Sequence, residues 1–102
     1  MRHRENALCR QARDAFEGLV RSHDAPAHDD VAGAVRLLIR LRDDLILALR
    51  EEGEGNDTRE TLQRVNSILS MASAAQYPIS GRKPDRLKQT FEALDALCSG
   101  RD

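Results

Sequence analysis

The chain has no tryptophan, one tyrosine and two phenylalanines among 102 residues. With so few rings it lacks the stacking platforms that hold single-stranded nucleic acid. Its two cysteines cannot supply the dense disulfide framework of small secreted domains. Long apolar runs are missing as well. The longest, residues 45–49, falls far short of the ~20 residues needed to span a bilayer. Charge of one sign is not in excess either. Sixteen Lys and Arg against seventeen Asp and Glu give a formal charge of −1, which removes the electrostatic case for non-specific binding to nucleic acid or membrane. There is no Gly-rich phosphate loop, GxSxG, HExxH, EF-hand loop or CxxCH. A haem, di-iron or flavin site would need inward His or paired Glu residues that the apolar faces do not carry, so no cofactor is expected.

What the chain does have is helical periodicity. Thirteen of its apolar residues are alanine, which leaves 25 Leu, Ile, Val, Met and Phe to build the interior. A domain of this length buries roughly two-thirds of its unfolded surface, so its core is marginal unless a second chain adds to it. The N-terminus lacks an apolar h-region, so no secretory signal is read there. That absence and the low cysteine count together point to the cytoplasm and reduced thiols.

Four helices are expected, at about 5–22, 30–52, 58–76 and 84–98, within a single domain covering 1–102. In the first, Leu8, Cys9, Ala12, Phe16, Leu19 and Val20 recur at three- and four-residue steps. Pro26 ends it, and Asp29 or Asp30 caps the second. Asp57 with Glu60 reads as a capping box for the third, whose Leu62, Val65, Ile68, Leu69 and Ala72 share a face. Pro84 opens the fourth, lined by Leu87, Phe91, Leu94, Leu97 and Cys98, and Gly100 suits its C-cap. Short connections between amphipathic helices imply an all-α fold, an antiparallel up-down four-helix bundle, and the width of one apolar face adds a dimer to that expectation.

That face belongs to the second helix. Val31, Ala34, Leu38, Leu41, Leu45 and Ala48 form a seam at 3-4-3-4-3 spacing, and Val35, Ile39, Ile46 and Leu49 widen it to roughly 200°, about twice an ordinary surface helix. So broad an arc implies cover from a second chain. The expected interface comprises Leu38, Leu41, Arg42, Leu45, Ile46 and Leu49, with Tyr77 as an anchor at the exposed corner of residues 77–79. Arg42 lies only about 40° from Leu38 (at 100° per residue), so its guanidinium must snorkel to an acidic partner or clamp a bound anion. Small residues on the third helix, Ser67, Ser70, Ala72, Ser73, Ala74 and Ala75, allow another helix to come close. Arg40 is spaced to pair with Asp43 and Asp44 along its own helix.

Three polar groups are candidates for chemistry. His23, His28 and Asp29 in the first loop are weak candidate metal ligands, and Asp24 and Asp30 add further carboxylates. Arg82, Lys83, Arg86 and Lys88 gather at the mouth of the fourth helix, where free amides would favour a bound anion or a contact with nucleic acid. Cys9 and Cys98 fall on apolar faces near opposite ends of the chain. In an up-down bundle they should approach each other, as small buried hydrophobes or, alternatively, as a redox-sensitive bridge.

Arg21-x6-His28, with Ser22 beside the Arg, resembles the arginine-to-histidine spacing of the HEPN ribonucleases, small all-α proteins whose motif assembles across a dimer. The likeness covers eight residues and brackets the first inter-helix loop. It implies that His28 would move the proton of a 2′-hydroxyl while Arg21 stabilises phosphorane charge. The primary expectation is a cytoplasmic, non-enzymatic helical interaction module, adaptor-like, regulatory or chaperone-like, that binds itself or a larger protein. A HEPN-like or metal-dependent hydrolase using Arg21, His23 and His28 is the alternative.

Overall fold

The computed structural model describes residues 3–22, 28–52, 56–76 and 83–99. Four helices account for nearly all of them: α1 (His3–Arg21), α2 (His28–Glu52), α3 (Asn56–Gln76) and α4 (Lys83–Cys98). Each boundary falls within two residues of the periodicity reading. The small shifts change the role of the caps. Because α2 begins at His28 and α3 at Asn56, Asp29, Asp30 and Asp57 lie in the first helical turns instead of preceding them. There they favour the positive end of each helix dipole. Pro84 is the second residue of α4, still within the turn whose amide hydrogens have no helical partner. Gly100 and Tyr77 lie outside the described residues.

At 1.5 Å per residue the 25 residues of α2 extend about 37 Å. The molecule measures 43 × 22 × 22 Å, so its long axis is about one helix length and its cross-section two helix diameters. The helices therefore lie side by side. α1 packs on α2 and α4, and α3 packs on the same two, while among the described residues the backbones of the diagonal pairs stay apart and their side chains share one core. This two-by-two packing gives every helix two neighbours and one shared core.

The core is continuous along the molecule. α1 contributes Leu8, Ala12 and Phe16, α3 contributes Val65, Ile68 and Ala72, and α4 contributes Leu87, Leu94 and Leu97. Phe16 supplies the largest fully buried side chain. Thr90 is the buried polar residue of α4, and its hydroxyl donates to the Arg86 carbonyl at 2.8 Å, one turn back. Thr61 does the same to Asp57 at the start of α3. Self-satisfaction of this kind lets a hydroxyl be buried without a distant partner.

Candidate functional site

α2 has the broadest apolar face, and its neighbours divide that face into two parts. All six seam residues are buried, as is Val35. Leu38, Leu41 and Leu45 belong to the chain's own core, which corrects their expected place in an interface. The physical reason is that α2 is flanked by both α1 and α3. Two neighbours converging on one helix cover an arc of roughly 140°, from Ala48 on one side to Val35 on the other, at 100° per residue. Most of the wide face is thus used within one chain.

Of the other apolar residues of this face, Leu49 lies about 20° from Leu38 and Ile46 about 80° from it, at the margin of the covered arc. Ile46 and Leu49 are half-buried, and neither is among the side chains packed on the core cluster. Leu47, between them in sequence, is 49% exposed and points away from the seam. The residue was visible in the sequence as part of the 45–49 run, but its position opposite Leu38 made it look like an isolated surface leucine. Leu47 shares its face with exposed Asp43 and Arg50, four residues before it and three after, whereas Ile46 lies about 100° and Leu49 about 160° round the helix from it.

Arg42 lies on the apolar arc about 40° from Leu38, as its spacing implies, with 35% of its side chain exposed. Its Nε and Nη2 donate to Oδ1 of Asp43 at 3.1 and 3.0 Å. The apolar stem covers the helix while the guanidinium swings about 100° round to its neighbour, so snorkelling within one chain accounts for it. Asp43 and Asp44 are accordingly not held by Arg40. Asp44 is met by Arg4 of α1, Nε to Oδ2 at 3.1 Å, in a contact that is Coulombic, since Oδ2 accepts no hydrogen bond. An Arg preceding its acidic partner by three or four residues is the less favourable order along a helix dipole, and a cross-helix partner wins.

The polar candidates are dispersed. Arg21, the last residue of α1, is exposed and faces Glu17 at 3.7 Å, one turn back. Asp29 is exposed in the first turn of α2. His23 and the side chain of His28 lie outside the described residues, so the Arg21–His28 pairing has no geometry to set beside it. Among the described residues no three His, Cys, Asp or Glu side chains gather as a metal site. At the mouth of α4, Arg86 is half-buried and Lys88 exposed, but two residues apart they point roughly 200° away from each other. Arg82 and the side chain of Lys83 also lie outside the described residues.

The cysteines do meet. Cys9 and Cys98 are joined as a disulfide, with Cα atoms 6.0 Å apart across 89 residues of chain. Their role as free buried hydrophobes is corrected accordingly, and neither is a free thiol. One turn inward, Arg13 of α1 lies 3.9 Å from Asp95 of α4. Matched against protein-family models, curated proteins and solved structures, the chain resembles none of them.

A second surface feature went unread as a unit. Arg64, Ser67, Ile68 and Met71 of α3, with Ala93 and Ala96 of α4, line an open groove of about 240 Å³. Its α3 residues follow the i, i+3, i+4, i+7 pattern of one helix stripe, and small side chains at Ser67, Ala93 and Ala96 hollow it out. The sequence signal was the run of small residues on the third helix. What it lacked was the knowledge that two alanines of α4 lie opposite.

Proposed function

We propose that this chain is a non-enzymatic helical interaction module, an antiparallel up-down bundle that pairs with a second copy through the outward flank of α2. The antiparallel reading draws support from two ties. Arg4 and Cys9, near the start of α1, are joined respectively to Asp44 in the second half of α2 and to Cys98 at the end of α4. The observation that carries the interface is Leu47, the most exposed large apolar side chain among the described residues, on the face of α2 turned away from the core. A leucine with no neighbour of its own gains about 25 cal/mol for each Å² covered by a partner. Arg50 and Asp43 beside it are of opposite charge and suit a self-complementary, isologous contact. Among the described residues no helix is long and apolar enough to cross a membrane, and the near-zero net charge fits a protein partner better than a nucleic acid.

The test is Leu47→Asp, read by light scattering on a sizing column. The wild type should run at twice the 11.4 kDa chain mass and the variant at the chain mass, with the helical spectrum and melting temperature unchanged. A wild type that runs as a monomer at high micromolar concentration would refute the self-pairing. Leu45→Asp cannot serve here, because it places a carboxylate in the core and unfolds the bundle whatever its oligomeric state. In a cytoplasmic setting the Cys9–Cys98 pair would stand as thiols, and an oxidising compartment would keep it bridged.

A further inference from the structure

The bridge between α1 and α4 is unequal in its two halves. Cys9 is fully buried among the core residues of α1. Cys98 is half-buried and is the final residue of α4. Beyond it the amide of Ser99 returns to the Asp95 carbonyl at 3.0 Å, which closes the last turn. A terminal turn has carbonyls without helical partners and so few bonds to break, and it opens more readily than the middle of a helix. Cys9, by contrast, sits in the second turn of α1 with Glu5 and Leu8 buried before it and Ala12 buried after it.

A disulfide exchanges when a thiolate attacks one sulfur in line with the S–S bond, and both access and the sulfur chosen govern the rate. Cys98, half-buried at the margin of the core, is the less enclosed of the two. An approach to Cys9 would have to pass through the packed interior. Access therefore selects one sulfur of the pair.

We propose that Cys98 is a thiol-modification site, the point at which a low-molecular-weight thiol enters the bridge. The thiolate forms a bond to Sγ of Cys98 as the bond between Cys98 and Cys9 breaks. Sγ of Cys9 keeps the bonding electron pair and takes up the proton that the incoming thiol gave up. The product is a mixed disulfide on Cys98 and a buried free thiol on Cys9, and no oxidant or further reductant takes part. The covalent tie across the α1–α4 seam is then replaced by packing and by the Arg13–Asp95 ion pair, which lies four residues after Cys9 and three before Cys98. The packing of α1 on α4 keeps the helices in register, so the Cys9 thiol remains placed to expel the adduct and close the bridge again. The site is thus reversible, and it is independent of how α2 is used.

The experiment treats the oxidised full-length chain with reduced glutathione in native buffer, quenches with acid, alkylates free thiols and maps both cysteines by peptide mass spectrometry. The expected result is glutathione on the Cys98 peptide and alkyl label on the Cys9 peptide, exceeding the reverse pattern by about tenfold or more. Removing glutathione should restore the bridge. Glutathione on Cys9, an even split, or no exchange until urea unfolds the chain would each overturn the proposal. Single variants give a second readout. In Cys9→Ser the Cys98 thiol should react with a maleimide about tenfold or more faster than the Cys9 thiol does in Cys98→Ser, provided circular dichroism shows both folded. Equal rates in two folded variants would also overturn it.

Discussion

Thr90 shows how a single side chain can be polar and buried at little cost. Its hydroxyl is satisfied by the Arg86 carbonyl of its own helix, so its burial places no demand on any other element. Thr90→Val keeps the shape and removes the donor. Its carbonyl partner retains the backbone bond of the helix, and the change in unfolding free energy should stay within about 1 kcal/mol in urea titration. Leu38 behaves in the opposite way. It is fully buried and central to the core, so Leu38→Ala should cost about 2–5 kcal/mol, the range for a cavity that neighbours only partly fill. If that variant lost under 1 kcal/mol, Leu38 would not be the core residue described. Arg42 stands between these cases. Its position in the apolar arc was evident from spacing alone, yet the identity of its partner was not, because Asp43 is adjacent in sequence and lies off the face that periodicity examines.

The helices themselves were legible almost to the residue. Spacing by three and four is a local property, and Pro26, Pro78 and Pro84 stand at or beside breaks between helices. Two glycines sit inside helices where a better helix former would serve. Beyond the adjoining residues and backbone of its own helix, neither Gly18 of α1 nor Gly33 of α2 has an atom within 4 Å of where a Cβ would lie. Gly18→Ala and Gly33→Ala should each raise stability by about 0.5–1 kcal/mol, measured as a higher urea midpoint with unchanged slope. A loss at either position would mean that the space is occupied in solution. The tie between α1 and α2 is expected to be modest. Arg4 is 77% exposed while Asp44 is largely covered, so Arg4→Ala should cost under about 1 kcal/mol in low salt and less at 1 M salt. Here the sequence pointed to the wrong partner, since Arg40 was near in the chain and Arg4 was forty residues away.

For the molecule as a whole, the disulfide changes the free energy of the unfolded chain more than that of the folded one. A bridge that closes 89 residues restricts the denatured ensemble strongly. Replacing both cysteines by alanine should therefore lower stability by about 2–4 kcal/mol relative to the oxidised protein, read in urea with the reduced wild type as the intermediate case. An equal midpoint for oxidised and double-alanine chains would show that the bridge adds nothing. The same variant, if it still folds, should keep the Leu47-dependent self-association, because Leu47 lies on the outer face of α2 and the two cysteines join α1 to α4.

Composition and periodicity were sufficient for the class of fold, the number of helices, the seam of α2 and the meeting of Cys9 with Cys98. Each follows from rules that act over one or two helical turns or, for the cysteines, from the up-down order expected of short connections. Other features depended on which helices become neighbours. The arc of α2 looked wide enough to require a second chain until α1 and α3 covered most of it. Asp44 found Arg4, the groove beside Ser67 found Ala93 and Ala96, and Leu47 was left as the exposed residue of an otherwise buried run. Burial is decided by atoms far away in sequence, whereas the 3.6-residue turn is decided within it, and that difference separates the two sets.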